Sequence, residues 1–152
     1  MPALLGKPLE GILFSRSKPY VNAYLATDYV VRIDGKDVVI RPNERSSAVD
    51  KTLSRFKVRG AAFITAFNPY SRQRGNPVNL AAHAQLLAAV RRRQRRFVEG
   101  VGQGRDKRWP AEKSVLVFGV TRTTAAILGR RFKQNAIVFV ALGRPAEPIY
   151  LS

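Results

Sequence analysis

The stretch Arg91 to Arg96 places five arginines in six positions. A planar guanidinium fork matches two phosphate oxygens at once and stacks on flat rings, and crowded guanidinium groups repel one another unless a polyanion covers them. Arg91, Arg92, Arg95 and Arg96 are therefore read as phosphate contacts, the plain alternative being a solvated helix end. Further along, Gly100, Gly102 and Gly104 open a segment running through Arg105, Lys107 and Arg108 to Trp109. Glycine permits close backbone approach and an indole can stack on a base, so Arg105, Arg108 and Trp109 form a candidate mobile clamp. A connecting loop with Trp109 anchored in the core would explain the same residues.

Two further segments carry polar chemistry. Asn68-Pro69-Tyr70-Ser71-Arg72 offers an amide, two hydroxyls and a guanidinium after an apolar run, able to orient a small polar ligand or simply to make a rigid turn. Gly119 to Thr124 offers Arg122 and backbone N–H groups to a phosphate, although it reads first as plain helix capping by Thr121, since one glycine is a weak phosphate-loop signal. In an open α/β sheet these turns would meet in the crevice beyond the strand ends. Asn68, Tyr70, Ser71, Arg72 and Arg122 accordingly make up a second candidate site, for a phosphorylated ligand such as a nucleotide. His83 alone titrates near neutral pH unperturbed, but it falls on an apolar helix face and reads first as a core residue. Gln134 and Asn135, before a buried run, fit either structural caps or base-edge contacts.

Bulk composition narrows the classes. The 152 residues suit one domain able to bury its own core, here expected as an N-terminal arm over 1–26 and a single domain over 27–152. Without cysteine, disulfides, zinc ribbons and thiol nucleophiles are excluded, and a single histidine disfavours catalytic zinc. No metal and no cofactor is expected. Met1 to Leu13 is interrupted by Pro2, Gly6, Lys7, Pro8 and Glu10, so it reads as neither a signal peptide nor a membrane span, and a cytoplasmic protein without membrane attachment is expected. The 27 Lys and Arg against 10 Asp and Glu leave a net charge of +17. Such a balance points to nucleic acid or another phosphate-bearing partner, or else to a generally basic proteome.

The elements that must position these groups follow from periodicity. Tyr29, Val31 and Ile33 alternate with Val30 and Arg32, and Asp34-Gly35 then supplies a two-residue hairpin turn before Val38 and Ile40. Ser46 or Ser47 caps a helix with Val49, Leu53 and Phe56 on one face. Ala61 to Phe67, Val115 to Phe118 and Ala136 to Leu142 are unbroken apolar runs, as strands buried on both faces require. Pro77 opens a helix from Val78 to about Arg96, whose apolar face carries His83, Leu86, Leu87, Val90, Gln94 and Phe97. Thr121 caps another, with Ala125, Leu128 and Phe132 inside. The expected fold is α/β of the α+β kind: a single mixed β-sheet with an N-terminal hairpin and about three covering helices.

Phe63-Ile64-Thr65-Ala66-Phe67-Asn68-Pro69-Tyr70-Ser71-Arg72, Asn79, Gly102-x-Gly104, Trp109-Pro110 and Leu128-Gly129-Arg130-Arg131-Phe132-Lys133-Gln134-Asn135-Ala136-Ile137-Val138 together resemble a bacterial family known as a domain of unknown function. The likeness covers about residues 24 to 142. It implies a cytoplasmic bacterial or phage-associated protein and brings no activity, cofactor or catalytic residue with it. The family usually carries two adjacent glutamates after the tryptophan, where this chain has Glu112 and Lys113, and a glutamate where Val78 stands. No His-Glu-x-x-His, Walker or Gly-x-Ser-x-Gly signature occurs, and no reaction is assigned. Nucleic-acid binding leads; an enzyme or sensor of a small phosphorylated ligand, and an inhibitor or other interaction protein, are the alternatives.

Overall fold

The computed structural model describes residues 21–106 and 109–151. Most of the expected N-terminal arm, together with Lys107 and Arg108, lies outside the described residues. The chain runs through α1 (Val21–Leu25), the hairpin β1 (Thr27–Ile33) and β2 (Lys36–Ile40), α2 (Ser47–Arg55) and β3 (Gly60–Thr65). It continues through a 3-10 turn at Pro69–Ser71, α3 (Asn76–Arg92), β4 (Phe97–Gly104), β5 (Glu112–Phe118), α4 (Arg122–Arg131), β6 (Ala136–Ala141) and β7 (Glu147–Tyr150).

The strands form one seven-stranded sheet in the order β2-β1-β4-β5-β3-β6-β7. The single sheet, the edge hairpin and the covering helices agree with expectation. Every ladder is antiparallel, however, where a sheet of mixed sense was expected. Beyond β2 the chain reaches across to the segment before β7, where Pro42 bridges Ala146, so the sheet curls.

Strand pleating sorts the side chains onto two cores. Ala62 and Ile64 of β3, Val115 and Val117 of β5, and Ile137 and Phe139 of β6 meet α3 and α4 on one face. Ala61 and Phe63, Leu116 and Phe118, and Val138 and Val140 meet α2 on the other, with Tyr29, Val31 and Ile33 of β1. Three central strands covered on both sides explain why their sequences are unbroken apolar runs, while β1, covered on one side, alternates. Leu53, Leu86 and Leu128 are fully enclosed, and burial of each such side chain contributes about 1.5–3 kcal/mol.

Helix ends follow local chemistry. Ser46 caps α2, its Oγ accepting from the Val49 N–H at 3.3 Å, and Thr121 caps α4, its Oγ1 accepting from the Thr124 N–H at 3.1 Å. Helix α3 stops at Arg92 rather than Arg96, because Gln94 takes a left-handed conformation (φ 55°) that turns the chain into β4. Phe97 still packs on the α3 core, but as the first residue of a strand.

The largest departure from expectation is β4. The glycines read as a flexible loop lie inside a strand flanked by β1 and β5. Gly100, Gly102 and Gly104 share the α2 face by strand alternation. A Cβ on Gly100 would lie 2.3 Å from the Val30 carbonyl oxygen and 2.8 Å from Val31 Cγ1. Glycine here serves close approach of two backbones, and its spacing of two is the strand period.

Candidate functional site

An antiparallel sheet sends consecutive strand ends to opposite rims, so the crevice rule for parallel strands does not assemble the expected cleft. Asn68 follows β3 at one rim, whereas Gly119 to Arg122 follow β5 at the other, next to Gly60 at the start of β3. Arg122 is thus separated from Asn68, Tyr70, Ser71 and Arg72. It pairs instead with Glu147, stands 4.7 Å from the Phe139 ring centroid, and lines an open groove of about 470 Å³ between α4 and β7. The expected phosphate contacts and the expected clamp part in the same way. Arg91 to Arg96 precede β4 and Arg105 and Trp109 follow it, with an eight-residue strand, about 25 Å, between them.

The rim before β4 is the arginine end. Arg91, Arg92, Arg93, Arg95 and Arg96 are all exposed, and among the described residues none of them lies within ion-pair distance of a carboxylate. Several arginines elsewhere are paired: Arg32 with Asp37, Arg41 and Arg105 with Asp28, Arg45 with Asp50, and Arg55 with Asp34. Aromatic rings hold part of the cluster in place. Arg91 stands 5.5 Å from the Phe97 centroid and Arg96 4.5 Å from that of Phe56, which Arg55 also covers at 5.2 Å. The Phe56 ring is itself fixed edge-on against Phe118 at 5.1 Å. Lys57 and Arg59, on the turn from α2 into β3, add exposed charge to the same rim.

The opposite rim carries a polar node that the sequence reading did not identify. Glu112, the first residue of β5, accepts through Oε2 from Asn68 Nδ2 at 2.5 Å and from Trp109 Nε1 at 3.2 Å. Asn68 is buried, and Oδ1 of its amide accepts from the Arg74 N–H at 2.8 Å and from Asn79 Nδ2 at 3.0 Å. Asn79, buried in the first turns of α3, accepts through Oδ1 from the Asn68 N–H at 2.9 Å. Burial lifts the Glu112 carboxyl above the ordinary glutamate range, against the two hydrogen bonds, which act to lower it.

The backbone beside this node is strained. Asn68, Tyr70 and Ser71 all take positive φ (49°, 54° and 60°), a region that costs a residue other than glycine about 1–2 kcal/mol. The conformation persists because it is fixed from several sides. The Tyr70 N–H donates to the Lys133 carbonyl at 2.6 Å, Asn135 Nδ2 donates to Ser71 Oγ at 2.8 Å, and Gln134 Nε2 donates to the Phe67 carbonyl at 3.1 Å. Gln134 and Asn135 therefore brace the turn. Tyr70, at 53% exposure, projects from it, and Arg72 is exposed without an ion pair among the described residues.

His83 is a core residue, as its helix face implied. Its Nε2 lies 3.1 Å from Glu99 Oε1, its ring stands edge-on to Phe67 at 6.2 Å, and its Nδ1 is enclosed without a partner. Among the described residues no group of three or more metal-binding side chains occurs, and no helix is long and apolar enough to cross a membrane.

Asn79 entered the sequence reading only through family likeness, and Glu112 only as half of a missing acidic pair. The sole local signal for Glu112 was an acid placed immediately before a buried apolar run.

A family model described as "Protein of unknown function (DUF3293)" matches residues 64–137, from β3 to the start of β6. No curated protein and no solved structure matches the chain. The matched span holds the arginine run as well as Asn68, Asn79, Trp109 and Glu112. Over just under half its length, the chain is similar to these proteins of unknown function.

Proposed function

We propose that the arginine end binds the phosphate backbone of nucleic acid. The observation that carries this reading is the set of five exposed arginines at Arg91 to Arg96 without a carboxylate partner among the described residues, whereas Arg32, Arg41, Arg45, Arg55, Arg105 and Arg122 each pair with a carboxylate. Uncompensated guanidinium groups on one rim gain free energy when phosphates displace their own counterions. The Phe56 and Phe97 rings reduce the freedom of Arg96 and Arg91, so less ordering is lost when they engage. Backbone contacts of this kind fix position on a strand without reading sequence.

Fluorescence anisotropy with labelled DNA and RNA, single- and double-stranded, at low salt tests the reading. The fourfold variant Arg91→Ala, Arg92→Ala, Arg95→Ala, Arg96→Ala is expected to lose about a hundredfold in affinity. The variant Arg105→Ala, altered at the far rim, is expected to bind like the parent. Absence of binding by the parent to any of these nucleic acids ends the proposal.

A further inference from the structure

We propose that Glu112 and Trp109 form a second site, distinct from the arginine end and independent of it, that takes an uncharged planar ring bearing an amino group, as in adenine or cytosine. The carboxyl is held asymmetrically. Both Asn68 Nδ2 and Trp109 Nε1 donate to Oε2 and no described residue donates to Oε1, so one oxygen is anchored and the other keeps its acceptor capacity. Gly102, the register partner of Glu112, places no side chain beside it. Oε1 is thus a fixed acceptor in a partly dry position, where an amino donor gains most.

The surroundings select the ligand class. Trp109, whose indole N–H donates to Glu112, is 37% exposed, so part of its ring remains available for stacking beside the carboxyl. A cationic ligand is opposed by the net charge of +17 and by exposed Arg72, Arg74, Lys113 and Lys133 on this rim. An anionic ligand meets the Glu112 carboxylate. A neutral ring with an amino donor satisfies Oε1 without either conflict. The strained turn at Asn68, Tyr70 and Ser71, fixed by six hydrogen bonds from Lys133, Asn135, Asn79, Arg74 and its own backbone, keeps the anchoring amide in place before a ligand arrives.

Trp109 is the sole tryptophan of the chain, so its fluorescence reports on this site directly. Titration with four nucleosides, which carry no phosphate for the arginine end to hold, is the test. Adenosine and cytidine are expected to give a saturable change, with inosine and uridine, which carry a carbonyl at the corresponding ring position, at least about tenfold weaker. In Glu112→Gln the side-chain oxygen still accepts from Asn68 and Trp109 while the amide NH₂ replaces Oε1, so the preference should invert toward inosine and uridine. A merely structural role would weaken all four alike. An absent response, or an equal response to all four nucleosides, overturns the proposal from the parent protein alone. A folded Glu112→Gln that keeps the parent preference overturns it too. The fourfold arginine variant should retain nucleoside binding, which separates failure of this site from failure of the arginine end.

Discussion

Replacing Gly100 with alanine tests whether the glycine-rich segment is a central strand or a loop. The added Cβ would lie 2.3 Å from the Val30 carbonyl oxygen and 2.8 Å from Val31 Cγ1, and Val31 is the residue paired with Gly100 across the β1–β4 ladder. The first of these atoms is backbone, so relief requires the two strands to separate by about an ångström, and overpacking of this kind costs about 3 kcal/mol. Gly102 is the internal control. A Cβ there meets nothing closer than Thr27 Cγ2 at 3.8 Å, an ordinary contact. Alanine at that position removes unfolded-state freedom and should stabilise by about 0.5–1 kcal/mol. For a chain of this size about 1 kcal/mol moves Tm by 2–4 °C, so Gly100→Ala should fall by about 6–12 °C while Gly102→Ala rises by about 1–4 °C. Urea denaturation should show the same contrast in midpoint with unchanged slope. Equal, small effects at both positions would mean that residues 100 to 104 are a loop, and would refute the strand assignment.

Other outcomes follow from the same geometry. Because burial raises the folded-state pKa of Glu112, its carboxylate opposes folding; this cost is absent below the ordinary value of 4.5 and grows as pH rises through the raised folded value. Stability of Glu112→Gln relative to the parent should therefore increase between pH 4 and pH 7 in urea denaturation, and a difference constant across that range would contradict the burial. Thr121→Ala removes the α4 cap and should cost about 1 kcal/mol, whereas Thr121→Ser should cost almost nothing in the same assay.

What could be read from the residues was local. The Asp34-Gly35 hairpin, the Ser46 and Thr121 caps and the three double-buried strands each declare themselves within about ten residues. Strand β4 did not, since glycine is read by propensity as a loop former and the requirement for it at Gly100 comes from Val30, seventy positions earlier. The antiparallel sense was equally hidden, because double burial produces the same apolar run in either sense. That sense alone decides which turns share a rim: it separates Arg122 from Asn68 and brings Glu112 to Asn68 instead. The acceptor at the centre of the polar node was overlooked because a carboxylate at a strand start is ordinary unless its partners are known, and those partners lie 44 residues away in the case of Asn68.

The salt dependence of nucleic-acid affinity tests the arginine end most directly. With five phosphate contacts, log affinity should fall against log salt with a slope of about −3.5 on single strands and about −4.5 on duplex. Each single Arg→Ala change among Arg91, Arg92, Arg95 and Arg96 should make that slope shallower by about 0.7 to 0.9, and Arg105→Ala should leave it unchanged. A slope that the four changes do not alter, or that Arg105→Ala alters equally, would place the phosphate contacts elsewhere on the molecule.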